Sequence, residues 1–394
     1  MASTTPTAFT LSEEQESFRQ VVRDFANSEI APHAAEWDRD HHFPVDTVRA
    51  MGHLGLFGIT APEEYGGAGE GLTSLCVAIE EIGRVDQSLG VTLEAAVSLG
   101  VAQLAEYGTD GQKQRWLPDL VAGRALAGFG LTEPGAGSDA GSPATRAHLD
   151  DDHWVINGAK QFITNSGSEL TSLVTVTART GENDDGQPEV SAIIVPSSTP
   201  GFIVEPAYDK LGWHASDTHP LTFADARVPA DHLLGERGRG FGQFLAALDD
   251  GRIAIAALAL GCIEAMLQAS VDYANTRTAF GASIGRNQGV AFQIADMKVM
   301  ADTARMLTYR AAALRDSGAP AKVVKQAAAV AKLQSSEAAV SATRIAAQVH
   351  GGYGFMEEYP VARFYRDAKI LEIGEGTSEV QRLVIGRSLG LAVE

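Results

Sequence analysis

Between Arg366 and Arg382 the chain reads RDAKILEIGEGTSEVQR, and within it one carboxylate, Glu375, is bracketed by Gly374 and Gly376. Glycine permits backbone angles that other residues avoid and lets a ligand approach closely. Apolar Ile370, Leu371 and Ile373 precede the triplet. Ser378 and Gln381 follow at capping-box spacing, ahead of the helical pattern of Val380, Leu383, Val384 and Ile385. Glu375 therefore reads as a loop residue at the mouth of a helix. Burial against apolar neighbours makes a carboxylate a stronger base, whereas a helix N-terminus favours the ionised form and works the other way. The chemistry such a group can perform is proton abstraction. The alternative is a solvated turn residue whose glycines only shape the turn.

Three further stretches suit an anionic ligand. In Thr132-Glu-Pro-Gly-Ala-Gly-Ser-Asp139, glycines let backbone amides turn toward an oxygen, and Thr132 and Ser138 add hydroxyls. It lacks the lysine of a Walker loop and the βαβ context of a Rossmann turn, and its other reading is a plain connection between strands. In Arg277-Thr-Ala-Phe-Gly281, with Gln288 beyond it, an arginine fork suits a pyrophosphate and Phe280 offers an aromatic face. Taken alone, Arg277 reads as a surface ion pair rather than a ligand fork. Gln348-Val-His-Gly-Gly-Tyr-Gly354 offers backbone amides at a helix end, or simple glycine capping. His350 reads as structural, because nothing pairs it with a metal ligand or a nucleophile.

The elements that must position these residues fall into three groups. Ser12 and Gln15 are spaced as a capping box before Phe18, Val21, Val22 and Phe25, and helical patterns recur over 45–57, 72–85, 89–106 and 111–122. Short β-branched runs follow: 154–156, 162–164, 173–177, 192–195, 202–204 and 221–223. Asn157-Gly158, between the first two runs, predicts a hairpin turn. Long helical periodicity returns over 241–275, 288–316 and 321–349, lengths that suit a bundle.

A chain of 394 residues can bury a large core, and 45% apolar with 21% charged residues is globular composition. A formal net charge of −19 argues against nucleic acid or an anionic membrane as partner. Cys76 and Cys262 are too few for a disulfide framework, and the first residues show neither a basic nor an apolar signal region. The longest uncharged apolar run, 253–263, is short of a membrane span. These features predict a soluble, cytoplasmic protein.

TEPGAGSD, FIT, LDDGR, RTAFG, QVHGGYGF, RDAKI and GEGTSEVQR occur in one order along an α, β, α chain. Nearly the whole sequence thereby resembles the acyl-CoA dehydrogenase family. The resemblance implies an α+β fold with an N-terminal helical domain (1–125), a middle antiparallel β-barrel-like domain (126–236) and a C-terminal four-helix-bundle domain (237–394). It implies FAD as cofactor. By similarity, Phe129, Leu131 and Thr132 line the isoalloxazine, Phe162 and Thr164 flank it near N5, and Ser138 contacts cofactor and substrate. Arg277, Phe280 and Gln288 match residues that hold the diphosphate and adenosine across a subunit boundary, with Gln348 and Gly352 from the neighbouring chain. Thr377 and Glu379 match further FAD contacts. Asp249 and Arg252 match a pair along the pantetheine arm near the base, and Gly376 matches a substrate contact.

Glu375 matches the family's catalytic base. It would remove the thioester α-proton while the β-hydrogen leaves as hydride to flavin N5, giving a trans-2-enoyl-CoA. Its own backbone N–H and a ribityl hydroxyl would hold the thioester oxygen. Some relatives carry the base on the bundle helix just before the position of Arg252. Here that residue is Gly251, with Asp250 adjacent but expected to point elsewhere. Ala279 stands where many members have a hydroxyl, Phe162 where many have Trp, and Gly374 where straight-chain enzymes often carry Tyr; the missing side chain of Gly374 should widen the pocket beside the base. The resemblance further implies an electron-transfer flavoprotein as electron acceptor, a homotetramer built as a dimer of dimers, and a place in fatty acid β-oxidation. The rivals are an acyl-CoA oxidase, a flavin monooxygenase or nitroalkane oxidase of the same superfamily, and a colourless, non-catalytic helical scaffold.

Overall fold

In a computed structural model, which describes residues 10–183 and 186–393, the chain passes from helices to strands and back to helices. First come α1 (Glu13–Phe25), α2 (Ala34–Asp40), α3 (Val45–His53), α4 (Leu72–Gly83), α5 (Gln87–Glu94), α6 (Ala102–Tyr107) and α7 (Asp110–Val121). The strands are β1 (Leu126–Gly130), β2 (Arg146–Asp150), β3 (His153–Thr164), β4 (Thr171–Glu182), β5 (Pro188–Pro196), β6 (Phe202–Val204), β7 (Thr218–Pro229) and β8 (Leu233–Leu234). Then follow α8 (Gly240–Thr276), the hairpin β9 (Thr278–Ala279) and β10 (Ala282–Ser283), α9 (Gln288–Asp316), α10 (Ala321–His350), α11 (Pro360–Ala368) and α12 (Ser378–Ser388). Ser12 caps α1 as its spacing predicts: its hydroxyl accepts from the Gln15 amide and the Gln15 side chain accepts from the Ser12 amide, both at 3.1 Å.

By internal contacts the chain forms two compact units, each assembled from separated stretches. The first takes in the chain up to Ala35, Gly71–Gly90 and everything from Arg252 onward. In it α10 packs against α9, α11 and α12, and α4 packs against α1 and α9. Much of the buried face of α10 is alanine, which lets helix axes approach closely. The N-terminus of α4 is capped from far along the chain, since the Asp316 carboxylate accepts from the amides of Leu72 (2.6 Å) and Thr73 (2.9 Å). Two fully buried acids on α4 are each paired: Glu81 takes a bidentate fork from Arg23 (2.9 and 2.7 Å), and Glu80 takes Arg305 at 2.8 Å and the hydroxyl of Tyr309.

The second unit comprises Glu36–Glu70 and Val91–Gly251. Its sheet runs β6-β7-β3-β2-β4-β5-β8, with β1 joined to β4. Most pairs are antiparallel, as expected, but β1 runs parallel to β4, with Ala127 opposite Leu173 and Gly130 opposite Val176. β2 and β3 intervene between them in the chain, so the connection is long enough for a parallel return. Trp154, Ile156, Ile163, Val174, Val176, Ile193, Val195, Leu221 and Phe223 form one core beneath this sheet.

The predicted hairpin at Asn157-Gly158 is absent. Both residues lie inside the single strand β3, where the pairing with β7 shifts register between Ile156 and Gly158. Gly158 takes φ +152°, and the Asn157 amide side chain donates to Asp225 at 2.9 Å. A dipeptide that favours a turn here makes a bulge, because long-range pairing along β7 outweighs the local preference.

Among the described residues, two helical stretches, Gln87–Tyr107 and Gly240–Thr276, are long and apolar enough to cross a bilayer by composition, and both are mostly buried within the protein. They are core helices by that burial, and the apolar run over 253–263 is the middle of α8.

Candidate active site

In the first unit α11 ends in a 3₁₀ turn, Lys369–Glu372, and α12 begins at Ser378. Between them the unusual backbone angles fall on Glu375 (φ +53°) and Gly376 (φ +94°), not on Gly374. A left-handed conformation costs a non-glycine residue about 1–2 kcal/mol, so surrounding contacts must hold it. They are present. Arg252 Nε, on α8, donates to the Glu375 carbonyl at 3.3 Å. Gln381 Nε2 donates to the same carbonyl at 3.3 Å and to the Gly376 carbonyl at 2.8 Å, and Lys332 Nζ, on α10, reaches the Gly376 carbonyl at 2.8 Å. A Cβ on Gly376 would stand 2.9 Å from Gln381 Nε2, whereas one on Gly374 would meet only the Ile370 carbonyl, at 3.5 Å. Both carboxylate oxygens of Glu375 are buried, although the residue as a whole is half-buried.

The cap of α12 differs from the expected one. Thr377, not Ser378, has the extended backbone, and its hydroxyl accepts from the Val380 amide at 3.3 Å. Ser378 is thereby the first helical residue, and Gln381 is released from capping to bond the carbonyls of the Glu375 turn. Thr377, expected to touch FAD, is engaged in this cap. Glu379 is exposed in the first turn, its carboxyl held below the usual range by its own backbone N–H and by the Thr377 hydroxyl.

Lys332 was not predicted. It is fully buried, and burial pushes its amine down to about 8, opposed by the charge of Glu375. The one sequence signal is its register: Ala328, Lys332, Ser335, Ser336 and Ala339 follow at helical spacing and are all buried, so a lysine sits on the face that should be apolar. Asp249 and Arg252 lie three residues apart on α8 and share a face; Asp249 is half-buried and Arg252 buried. Gly251, in the alternative base position, is buried in the same helix.

Elsewhere in the first unit, Arg277, His350, Gly351, Gly352 and Tyr353 line a cleft of about 550 Å³. The Arg277 guanidinium lies 5.8 Å from the centre of the Tyr353 ring, and Tyr273 stacks on His350 at 4.2 Å. Burial holds the His350 imidazole below its ordinary value, opposed by the hydrogen bond between Nδ1 and the Ala346 carbonyl at 2.8 Å. Arg277 and Gly352 line the same cleft within the chain. Phe280 is fully exposed at φ +53° on the β9–β10 turn, and Gln288 and Gln348 are exposed on α9 and α10; none of the three lines the cleft.

The second unit carries the other predicted contacts. Phe129, on β1, stacks on Phe244 at 4.1 Å, while Leu131 packs near Leu99 and Leu248. The Thr132 carbonyl accepts from the Gln161 amide at 2.8 Å, which sets the start of the glycine-rich stretch beside β3. Phe162 is exposed on β3 at φ +61°, its ring 5.2 Å from Tyr208, and Thr164 closes the strand half-buried. Ser138 is exposed in the turn.

Two residues, Glu133 within this stretch and Lys160 on β3, were also missed. Glu133 accepts from the amides of Ala144 (2.6 Å) and Thr145 (3.1 Å), and Lys160 Nζ bonds Glu133 (2.8 Å), the Leu131 carbonyl (3.2 Å) and Thr177 (3.0 Å). Burial opposes ionisation of Glu133, but Lys160 and the two amides hold it below the usual carboxylate range; burial brings Lys160 down to about 8.

Sequence profiles of the acyl-CoA dehydrogenase N-terminal, middle and C-terminal domains match residues 12–124, 128–226 and 238–390. The chain is 50% identical over 381 residues to a probable acyl-CoA dehydrogenase, YngJ, of Bacillus subtilis, covering 97% of this chain and 99% of that one. Among solved structures it resembles butyryl-CoA dehydrogenase from Megasphaera elsdenii (TM-score 0.93, 40% identity, 97% and 100% covered). It equally resembles a chain from a structure of the electron transferring flavoprotein of Acidaminococcus fermentans (TM-score 0.93, 41% identity, 97% and 99% covered).

Proposed function

The chain belongs to the acyl-CoA dehydrogenase family, and from that premise we propose that it oxidises a short acyl-CoA between its α and β carbons, with Glu375 as the base. The observation that carries this reading is the buried carboxylate of Glu375 on a left-handed turn, gripped by Arg252, Lys332 and Gln381.

The family is FAD-dependent, and the donor set in this chain fits that cofactor. The Arg277 cleft offers a guanidinium fork, an aromatic face and two glycines, 351 and 352, whose missing side chains leave open space, as a diphosphate requires. Phe129, Leu131, Thr132, Phe162 and Thr164 would hold the flavin ring, Ser138, Thr377 and Glu379 would be further contacts, and Phe280, Gln288 and Gln348 would hold the diphosphate and adenosine portion with Arg277. FAD, when bound, supplies the hydride acceptor. The chain's own work is to take the α-proton onto Glu375, to offer the Glu375 backbone N–H to the thioester oxygen and to keep water from the carboxylate. Asp249, Arg252 and Gly376 would lie along the thioester and its pantetheine arm. As the α-proton moves to the carboxylate, the β-hydrogen leaves with its electron pair and the carbon–carbon double bond forms.

An electron-transfer flavoprotein as acceptor is supported by the Acidaminococcus fermentans neighbour. We further propose a cytoplasmic homotetramer in fatty acid β-oxidation, with domains dividing near residues 125 and 236. The test is the visible spectrum of the purified protein before and after anaerobic addition of butyryl-CoA and branched acyl-CoAs. Flavin bands that bleach with butyryl-CoA support the reading; a colourless protein, or bands unmoved by every thioester, would overturn it.

A further inference from the structure

Lys332 presents a physical problem. A fully buried ammonium on an otherwise small-residue helix face is costly unless its charge and its donors are used. Its hydrogen bond goes to a backbone carbonyl, that of Gly376 at 2.8 Å, and not to a carboxylate. That carbonyl belongs to the turn in which Glu375 is left-handed. Because a peptide unit is planar, fixing the carbonyls of Glu375 and Gly376 fixes both adjoining peptide planes. It therefore fixes ψ of Glu375 and the direction in which its side chain leaves the backbone. Arg252 and Gln381 act on the first plane, and Lys332 and Gln381 on the second.

We infer that Lys332 is a positioning residue for Glu375, holding the turn from α10 and setting the basicity of the carboxylate through its charge. The inference rests on the reading of Glu375 as the base. An ammonium close to a carboxylate favours its ionised form and weakens it as a base, so loss of the Lys332 proton strengthens it. The charged groups facing this amine are Glu375, Arg252 from α8, Glu372 from the turn after α11 and Glu379 from α12, and the amine titrates at about 8. The protonation of Lys332 therefore changes within the working range of pH.

The experiment uses the FAD-loaded protein and the variants Lys332→Met and Lys332→Gln. Lys332→Met removes donor and charge. It should keep FAD and leave KM for butyryl-CoA within about threefold, while the rate of flavin reduction falls between about ten- and a hundredfold, as a small misplacement of a reacting group does. Amide hydrogen exchange over 374–378 should accelerate at least about tenfold, while exchange within α10 stays native. Lys332→Gln keeps a donor without the charge. It should recover most of the exchange protection, yet lose the inflection near pH 8 that the native pH profile of flavin reduction should show. Should the methionine variant fail to fold, the glutamine variant's pH profile carries the test. Native exchange over 374–378 in Lys332→Met, or an unchanged inflection in Lys332→Gln, would overturn the inference. If Glu375 were not the base, the exchange result would stand and the altered pH profile would not appear.

Discussion

Lys160 and Glu133 form a buried ion pair at 2.8 Å that ties β3 to the segment following β1, below the residues expected to face the flavin. The same amine bonds the Leu131 carbonyl, so one side chain fixes the entry to the glycine-rich turn. Removing the lysine would leave a buried carboxylate with only its two amide donors.

Lys160→Met should therefore lower stability by about 3–5 kcal/mol, and Glu133→Gln in the same chain should restore a good part of it. The pH dependence has a definite sign. The folded value of Lys160, about 8, lies below the ordinary lysine value, so the unfolded chain holds more protons between about 8 and 10.5. The stability of the native protein relative to Lys160→Met should then rise with pH across that window. Denaturant titrations at several pH values measure this difference, and a flat or falling curve would contradict it.

The bulge in β3 predicts a steric cost. A Cβ on Gly158 would stand 2.5 Å from Thr145 Oγ1 and 2.6 Å from Thr145 Cα, at a φ that side chains rarely adopt. Gly158→Ala should lose about 1–3 kcal/mol by thermal or chemical denaturation. An unchanged midpoint would mean that the strand can slip to relieve the clash.

Arg277→Ala removes the guanidinium from the cleft that it shares with Gly352. Loss of a charge-assisted fork should release FAD, seen as loss of visible absorbance after gel filtration, and should weaken the oligomer if the site is shared between subunits. Full FAD occupancy in an intact oligomer would remove Arg277 from the cofactor site.

Gly374 has room for a side chain, since its Cβ would make only an ordinary contact with the Ile370 carbonyl at 3.5 Å. Gly374→Tyr should fold, and should reduce turnover of branched acyl-CoAs more than that of butyryl-CoA by filling space beside the base. Equal losses on both substrates would show that this position does not set acyl shape.

The long helices and most strands were legible because their periodicity and caps are local: Ser12 with Gln15 fixes the start of α1 from within four residues. Asn157-Gly158 misled for the opposite reason, since its turn preference yields to the register between β3 and β7. At the site, the glycines around Glu375 marked the carboxylate, but nothing local required the glutamate itself to be left-handed. That strain is borne by Arg252 and Lys332, which lie far away in sequence on two different helices. Glu133 was overlooked for the hydroxyls beside it, and Lys160 because a lysine inside a strand ordinarily faces solvent.

The central claim is that Glu375 removes the α-proton, and Glu375→Gln tests it most directly. The substitution keeps the size and the backbone N–H but cannot accept the proton. With FAD bound, anaerobic addition of butyryl-CoA should still perturb the flavin spectrum, because the substrate still binds, while bleaching slows at least about a hundredfold. Bleaching near the native rate in this variant would contradict the account and turn attention to Asp250.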